Sequence, residues 1–107
     1  MELVTVCRLE DVPEGEARRF EVGNHEIAVV NLGPDGFRAV GDICSHAHSL
    51  LHEGEVDVDF ATIECPKHGS TFDLDTGKPR SLPATMPVPL YNVKVDGEEV
   101  KVEIPDG

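Results

Sequence analysis

The sequence predicts an all-β chain of antiparallel sheets, and three observations carry that prediction. No stretch shows an apolar stripe at helical spacing over three turns. Several short segments alternate apolar and polar residues instead, rich in Val, Ile and Phe. Two-residue turn signals, Gly23-Asn24 and Asp96-Gly97, stand between such segments.

In chain order, Leu3 to Cys7 is apolar and β-branched and reads as a strand. Leu9 to Glu16 carries Pro13 and Gly15 among four acids and reads as a solvated turn region. Arg18 to Val22 alternates, Gly23-Asn24 turns the chain, and His25 to Leu32 returns. Within that return, Ile27-Ala28-Val29-Val30 implies burial on both faces. Gly33-Pro34-Asp35-Gly36 is a turn by residue type, and Phe37 to Gly41 is the next strand.

From Asp42 to about Arg80 polar loops dominate, with expected strands at Phe60 to Glu64 and Thr71 to Leu74 and a turn at Asp75-Thr76-Gly77. Ser81 to Pro89 holds three prolines and is expected to be extended and rigid. Leu90 to Val95 alternates, Asp96-Gly97 signals a type I′ turn, and Val100, Val102 and Ile104 alternate on the way back. At 107 residues this is one domain, 1–107, with sheet-forming halves at about 1–41 and 81–107 and an inserted subdomain at about 42–80.

The charge balance narrows the function. Nine basic and 21 acidic residues leave a net charge of -12, which argues against nucleic acid and anionic membranes and favours partners with basic faces. No run of 18 apolar residues exists, and Met1 to Thr5 lacks the pattern of a secretory signal. Two of the three cysteines sit in short polar loops, so no disulfide framework is implied, and a cytoplasmic setting is expected.

Those loops are the chemical centre of the sequence. Cys44-Ser45-His46 and Cys65-Pro66-Lys67-His68 each offer one thiolate and one imidazole, with eighteen residues between His46 and Cys65. A structural zinc site usually groups its cysteines apart from its histidines. Here the two ligand types alternate, which suits a di-iron unit held by two Cys at one iron and two His at the other. Mixed ligation raises the reduction potential above that of an all-Cys cluster. Ser45, Pro66 and Gly69 are the small or rigid residues that such tight loops need.

Cys44-Ser45-His46, Leu51, Cys65-Pro66-Lys67-His68-Gly69, Phe72-Asp73 and Thr76-Gly77 together resemble the signature of Rieske-type [2Fe-2S] proteins, and in particular the soluble ferredoxins of bacterial oxygenase systems. The resemblance runs from about Val4 to Ile104. It implies a Rieske domain, with Cys44 and Cys65 on the inner iron and His46 and His68 on the outer one. It implies that Leu51 shields the cluster and that the loop around Pro83 covers it. Quinol-oxidising relatives carry an extra disulfide, whose places here are Ser49 and Lys67, and a Tyr where this chain has Phe72. Ser70 remains as a candidate donor to a bridging sulfur. With fewer hydrogen bonds to sulfur, the expected potential lies at the low end of the Rieske range, roughly -150 mV.

The function implied is a one-electron carrier rather than an enzyme. A flavin or iron-sulfur reductase would supply the electron and a terminal oxygenase would receive it. The competing readings are a Rieske-like small subunit of a larger oxidoreductase, such as nitrite reductase, and a zinc-bound interaction module. Of the remaining residues, His25, His48 and His52 read as solvated and Cys7 as a small core residue. The acidic run Glu53 to Asp59 reads equally as part of a docking face or as a charge-protected edge.

Overall fold

The structure is a computed structural model and describes residues 2–45, 49–67, 69–82 and 84–105. Its architecture follows from the central strand. β3 (His25–Asn31) is buried on both sides, and its alternate residues feed two different cores. Ala28 and Val30 enter one, Ile27 and Val29 the other, as the period of two in a strand requires.

β3 pairs with β2 (Ala17–Val22) and with β4 (Phe37–Gly41), and β4 pairs with the short β8 (Leu90–Tyr91). This four-stranded sheet is the middle layer. A sheet ordered β1 (Glu2–Arg8), β10 (Glu99–Ile104), β9 (Val93–Asp96) adds Val100, Val102 and Ile104 to the core that holds Ile27, Val29 and Ala39. The third sheet, β5 (Val56–Asp57), β6 (Thr62–Glu64) and β7 (Thr71–Asp73), adds Ile63 and Phe72 to the core of Ala28, Val30 and Val40. All strand pairings between these elements are antiparallel. Each fully buried Val, Ile, Leu or Phe stabilises the fold by about 1.5–3 kcal/mol, so the two cores together outweigh any single surface ion pair.

Four local expectations are corrected. Leu9 to Asp11 forms a 3-10 turn, and Glu10, Asp11, Pro13, Glu14 and Glu16 are exposed as expected, but Val12 among them is fully buried. Asn31 fixes it there by donating from Nδ2 to the Val12 carbonyl at 2.8 Å. The strand expected from Phe60 begins only at Thr62. The Asp57 carboxylate accepts the Phe60 N–H at 3.1 Å, and this turn leaves Phe60 69% exposed.

The segment from Leu90 to Val95 is not one strand. It divides at Asn92, so that β8 pairs with β4 while β9 pairs with β10. Finally, Asp96 pairs with Glu99, which places Gly97-Glu98 in the turn. Gly97 has a φ of +63 and Glu98 is not in the positive region, the pattern of a type II′ rather than a type I′ turn.

Candidate metal centre

The two Cys-His loops are built alike. Ile43 bridges Leu50 across the first loop, and the Cys44 N–H donates to the Ser49 carbonyl at 2.9 Å. Across the second, Glu64 pairs with Thr71 and the Cys65 N–H donates to the Ser70 carbonyl at 2.7 Å. In each case a cysteine amide bonds the carbonyl five residues on, at the tip of an antiparallel pair. Gly69, with a φ of +75, tightens the second loop by donating its N–H to the Cys65 carbonyl at 3.0 Å.

Both cysteines are buried and belong to one apolar cluster with Leu51, Ile63, Phe72, Leu74 and Ala84. Leu51 is fully buried there, a placement suited to the shielding role expected of it. His46, His48, His68 and Pro83 lie outside the described residues.

The segment after Arg80 is stitched to both loops. The Ser45 hydroxyl donates to the Met86 carbonyl at 2.5 Å, the Ala84 N–H donates to Ser70 Oγ at 3.1 Å, and the Thr71 N–H donates to Ser81 Oγ at 2.9 Å. Ser70 is fully buried and acts as acceptor in its bond to Ala84, so its own hydroxyl proton is not spent on it. A second set of bonds fixes the turn beyond β7. Asp73 Oδ1 accepts the N–H groups of Asp75 and Thr76, and Arg38 on β4 reaches Asp75 at 2.7 Å.

Sequence reasoning missed the part played by Asp42. It is fully buried at the base of the first loop, where Oδ1 accepts the His52 N–H at 2.8 Å and His52 Nδ1 lies 2.8 Å from Oδ2. His52 is therefore engaged rather than solvated. His25 is also engaged, with Nδ1 3.1 Å from the Tyr91 hydroxyl and the two rings edge to face. A buried acid is rare enough that a Gly-Asp pair ending an apolar strand is a usable signal, although the sequence names no partner for it.

Cys7 is buried in the other core, away from the loops, and burial with nearby Asp11 pushes its thiol up to about 11. It is a packing residue. The donor chemistry at the loops suits an iron-sulfur unit: two thiols delivered to one water-poor cluster by short, hydrogen-bonded loops, with a histidine two or three residues after each.

Two polar loops presenting thiols over an antiparallel β scaffold define a small iron-sulfur carrier fold, and comparison with known proteins agrees. The Rieske [2Fe-2S] domain model matches residues 2–92. The 3-phenylpropionate/cinnamic acid dioxygenase ferredoxin subunit of Shigella boydii is 42% identical over 106 residues, covering 99% of this chain and 97% of that protein. The ferredoxin of carbazole 1,9a-dioxygenase from Nocardioides aromaticivorans superposes with a TM-score of 0.89 at 37% identity, covering 95% and 97% of the two chains. A chain from a complex of oxygenase and ferredoxin in carbazole 1,9a-dioxygenase gives 0.83 at 40% identity over 94% and 91%. Structures described as nitrite reductase small subunits match at 20% identity, which shows a shared fold and nothing more.

The chain belongs to the Rieske [2Fe-2S] domain family. Its cofactor is a [2Fe-2S] cluster.

Proposed function

We propose that this protein is a one-electron carrier serving a terminal oxygenase, with its cluster held by Cys44 and Cys65 at one iron and His46 and His68 at the other. The observation that carries the reading is the matched pair of loops, each closed by a cysteine amide bond, bringing both thiols into one apolar cluster. When bound, the cluster accepts and releases a single electron. The chain's own residues shape the rest. Leu51, Ile63 and Phe72 exclude water from the cysteine side, and the buried Ser70, whose hydroxyl proton is not used in its bond to Ala84, is the proposed donor toward sulfur.

The partner face is supported by exposure. Ile43 beside Cys44, and Leu82 and Met86 on the segment stitched to the loops, are exposed apolar residues on an otherwise acidic molecule. They are the residues proposed to form an apolar collar on which an oxygenase docks. A flavin or iron-sulfur reductase is the proposed electron donor, and the cytoplasm the proposed compartment. Among the described residues no helix is long and apolar enough to cross a membrane. We further propose the division into a basal part, about 1–41 and 81–107, and a cluster-binding part, about 42–80. The β5–β7 sheet lies within the second range.

The test is direct. The protein as purified should contain two irons and two sulfides, be red-brown, and give the electron paramagnetic resonance signal of a Rieske centre on reduction. His46→Ala and His68→Ala should each lose iron and the visible spectrum. A colourless, zinc-containing protein, or histidine variants with unchanged iron and spectrum, would overturn the reading.

A further inference from the structure

Asp42 joins the first ligand loop to the middle sheet through both its main chain and its side chain. Its N–H donates to the Glu26 carbonyl on β3 at 2.9 Å, and its carbonyl accepts the Leu51 N–H at 2.7 Å. Its carboxylate accepts the His52 N–H and lies 3.0 and 2.8 Å from His52 Nδ1. The loop that carries Cys44 and His46 is thus closed at its base, residue 42 to residues 51 and 52.

The charge on that carboxylate is met from the other side by Arg19 on β2. Arg19 lies on the ligand-side face of its strand, since it pairs with Ala28 of that core. Its Nε is 3.5 Å from Asp42 Oδ2, and this buried N–H has no hydrogen-bond partner among the described residues. The guanidinium also holds Glu21 at 2.5 Å and Glu26. Asp42 is therefore a fully buried anion with a cation beside it, in a region where charges are poorly screened.

Asp42 lies two positions before Cys44, so their Cα atoms stand within about 7 Å. We infer that Asp42 is a positioning residue for the first ligand loop and that its buried charge, offset by Arg19, holds down the cluster's affinity for an electron. A fixed negative charge at that range disfavours the more negative, reduced state, and a fixed positive charge favours it. The inference rests on the assignment of Cys44 and His46 as ligands.

Asp42→Asn preserves shape and removes the charge, while Arg19→Gln removes the cation and leaves the loop ties intact. Iron content, the potential by protein-film voltammetry, and hydrogen-deuterium exchange of the peptide covering 43–52 are measured on each. The expected result is a potential above wild type for Asp42→Asn and below wild type for Arg19→Gln. Exchange in 43–52 should be faster in Asp42→Asn alone, with β10 unchanged.

A carboxylate that only braces the fold would change iron content or melting without producing shifts of opposite sign. Unchanged potentials in both fully loaded variants, or shifts in the same direction, would overturn the inference. If Asp42→Asn takes up no cluster, Arg19→Gln decides alone: a lower potential supports the inference and an unchanged one overturns it. A wild-type protein without iron would instead sink the ligand assignment. Equal exchange of 43–52 in the metal-free wild type and Asp42→Asn would then refute the positioning role as well.

Discussion

Gly54 offers the sharpest test of how tightly the cluster-binding part is packed. Its backbone has a φ of -89, open to any residue, so glycine is not required for conformational reasons. It is required for space. A Cβ there would stand 1.6 Å from the Glu64 carbonyl oxygen and 3.3 Å from Pro66 Cδ, on either side of Cys65. Reaching ordinary contact means opening the approach by about 1.8 Å.

The opposing backbone is held by the Glu64 N–H bond to the Glu55 carbonyl at 2.8 Å and by the β6–β7 ladder. Gly54→Ala should thus break that bond and strain the packing, for about 3 kcal/mol in all. In a domain of this size that is roughly 12–20 °C of melting temperature. Because β6 leads directly into Cys65, iron occupancy should fall as well. Gly23→Ala is the control: φ is +60 but nothing lies within 4 Å of the added Cβ, so only the left-handed conformation is penalised, by about 1–2 kcal/mol. Thermal melting followed by circular dichroism, with iron assays, compares the two. If Gly54→Ala melts no lower than Gly23→Ala and keeps its iron, the close approach is not as described.

Other outcomes are expected. Cys7 should resist alkylation in the folded protein at pH 8 and react on unfolding, as mass spectrometry can count. Its folded thiol sits near 11 against 9.0 when unperturbed, so folding should lose stability as pH rises from about 9 towards 11, where only the unfolded thiol ionises. A stability profile unchanged between wild type and Cys7→Ala over that interval would contradict this. Tyr91→Phe removes the bond to His25 and should cost about 1 kcal/mol in denaturant melts while leaving the potential alone. Met86→Glu places a charge in the apolar collar; it should keep full iron yet slow electron transfer to the oxygenase roughly tenfold in stopped-flow experiments, equivalent to about 1.4 kcal/mol.

The strands that pack on two cores were the most legible part of the sequence. Ile27 to Val30 is an unbroken apolar run, and such a run has one economical solution, burial on both faces. The alternation at Val100, Val102 and Ile104 was equally plain. The paired Cys-His motifs pointed to two loops, and the two loops are present with both thiols in one cluster.

What escaped was set by contacts distant in sequence. Val12 stands alone among polar neighbours, and its burial depends on Asn31 nineteen residues on. Asp42 carries only the hint of an acid at the end of an apolar strand, and its partners His52 and Arg19 are brought to it by the fold. Phe60 misled in the opposite sense, because residue type argued for burial and a side-chain turn at Asp57 decided otherwise. The break at Asn92 left no mark on the alternating pattern, since both short strands keep the same period.

That break has a mechanical consequence. A single backbone leaves one layer at Tyr91 and enters the next at Val93, and Tyr91 shares a core with Val100 and Val102. Pulling the C-terminal hairpin away must therefore drag on β4, whose Gly41 amide is bonded to the Pro89 carbonyl next door. The layers are geared together, and heat or denaturant should take them apart in one transition rather than peel them off in turn.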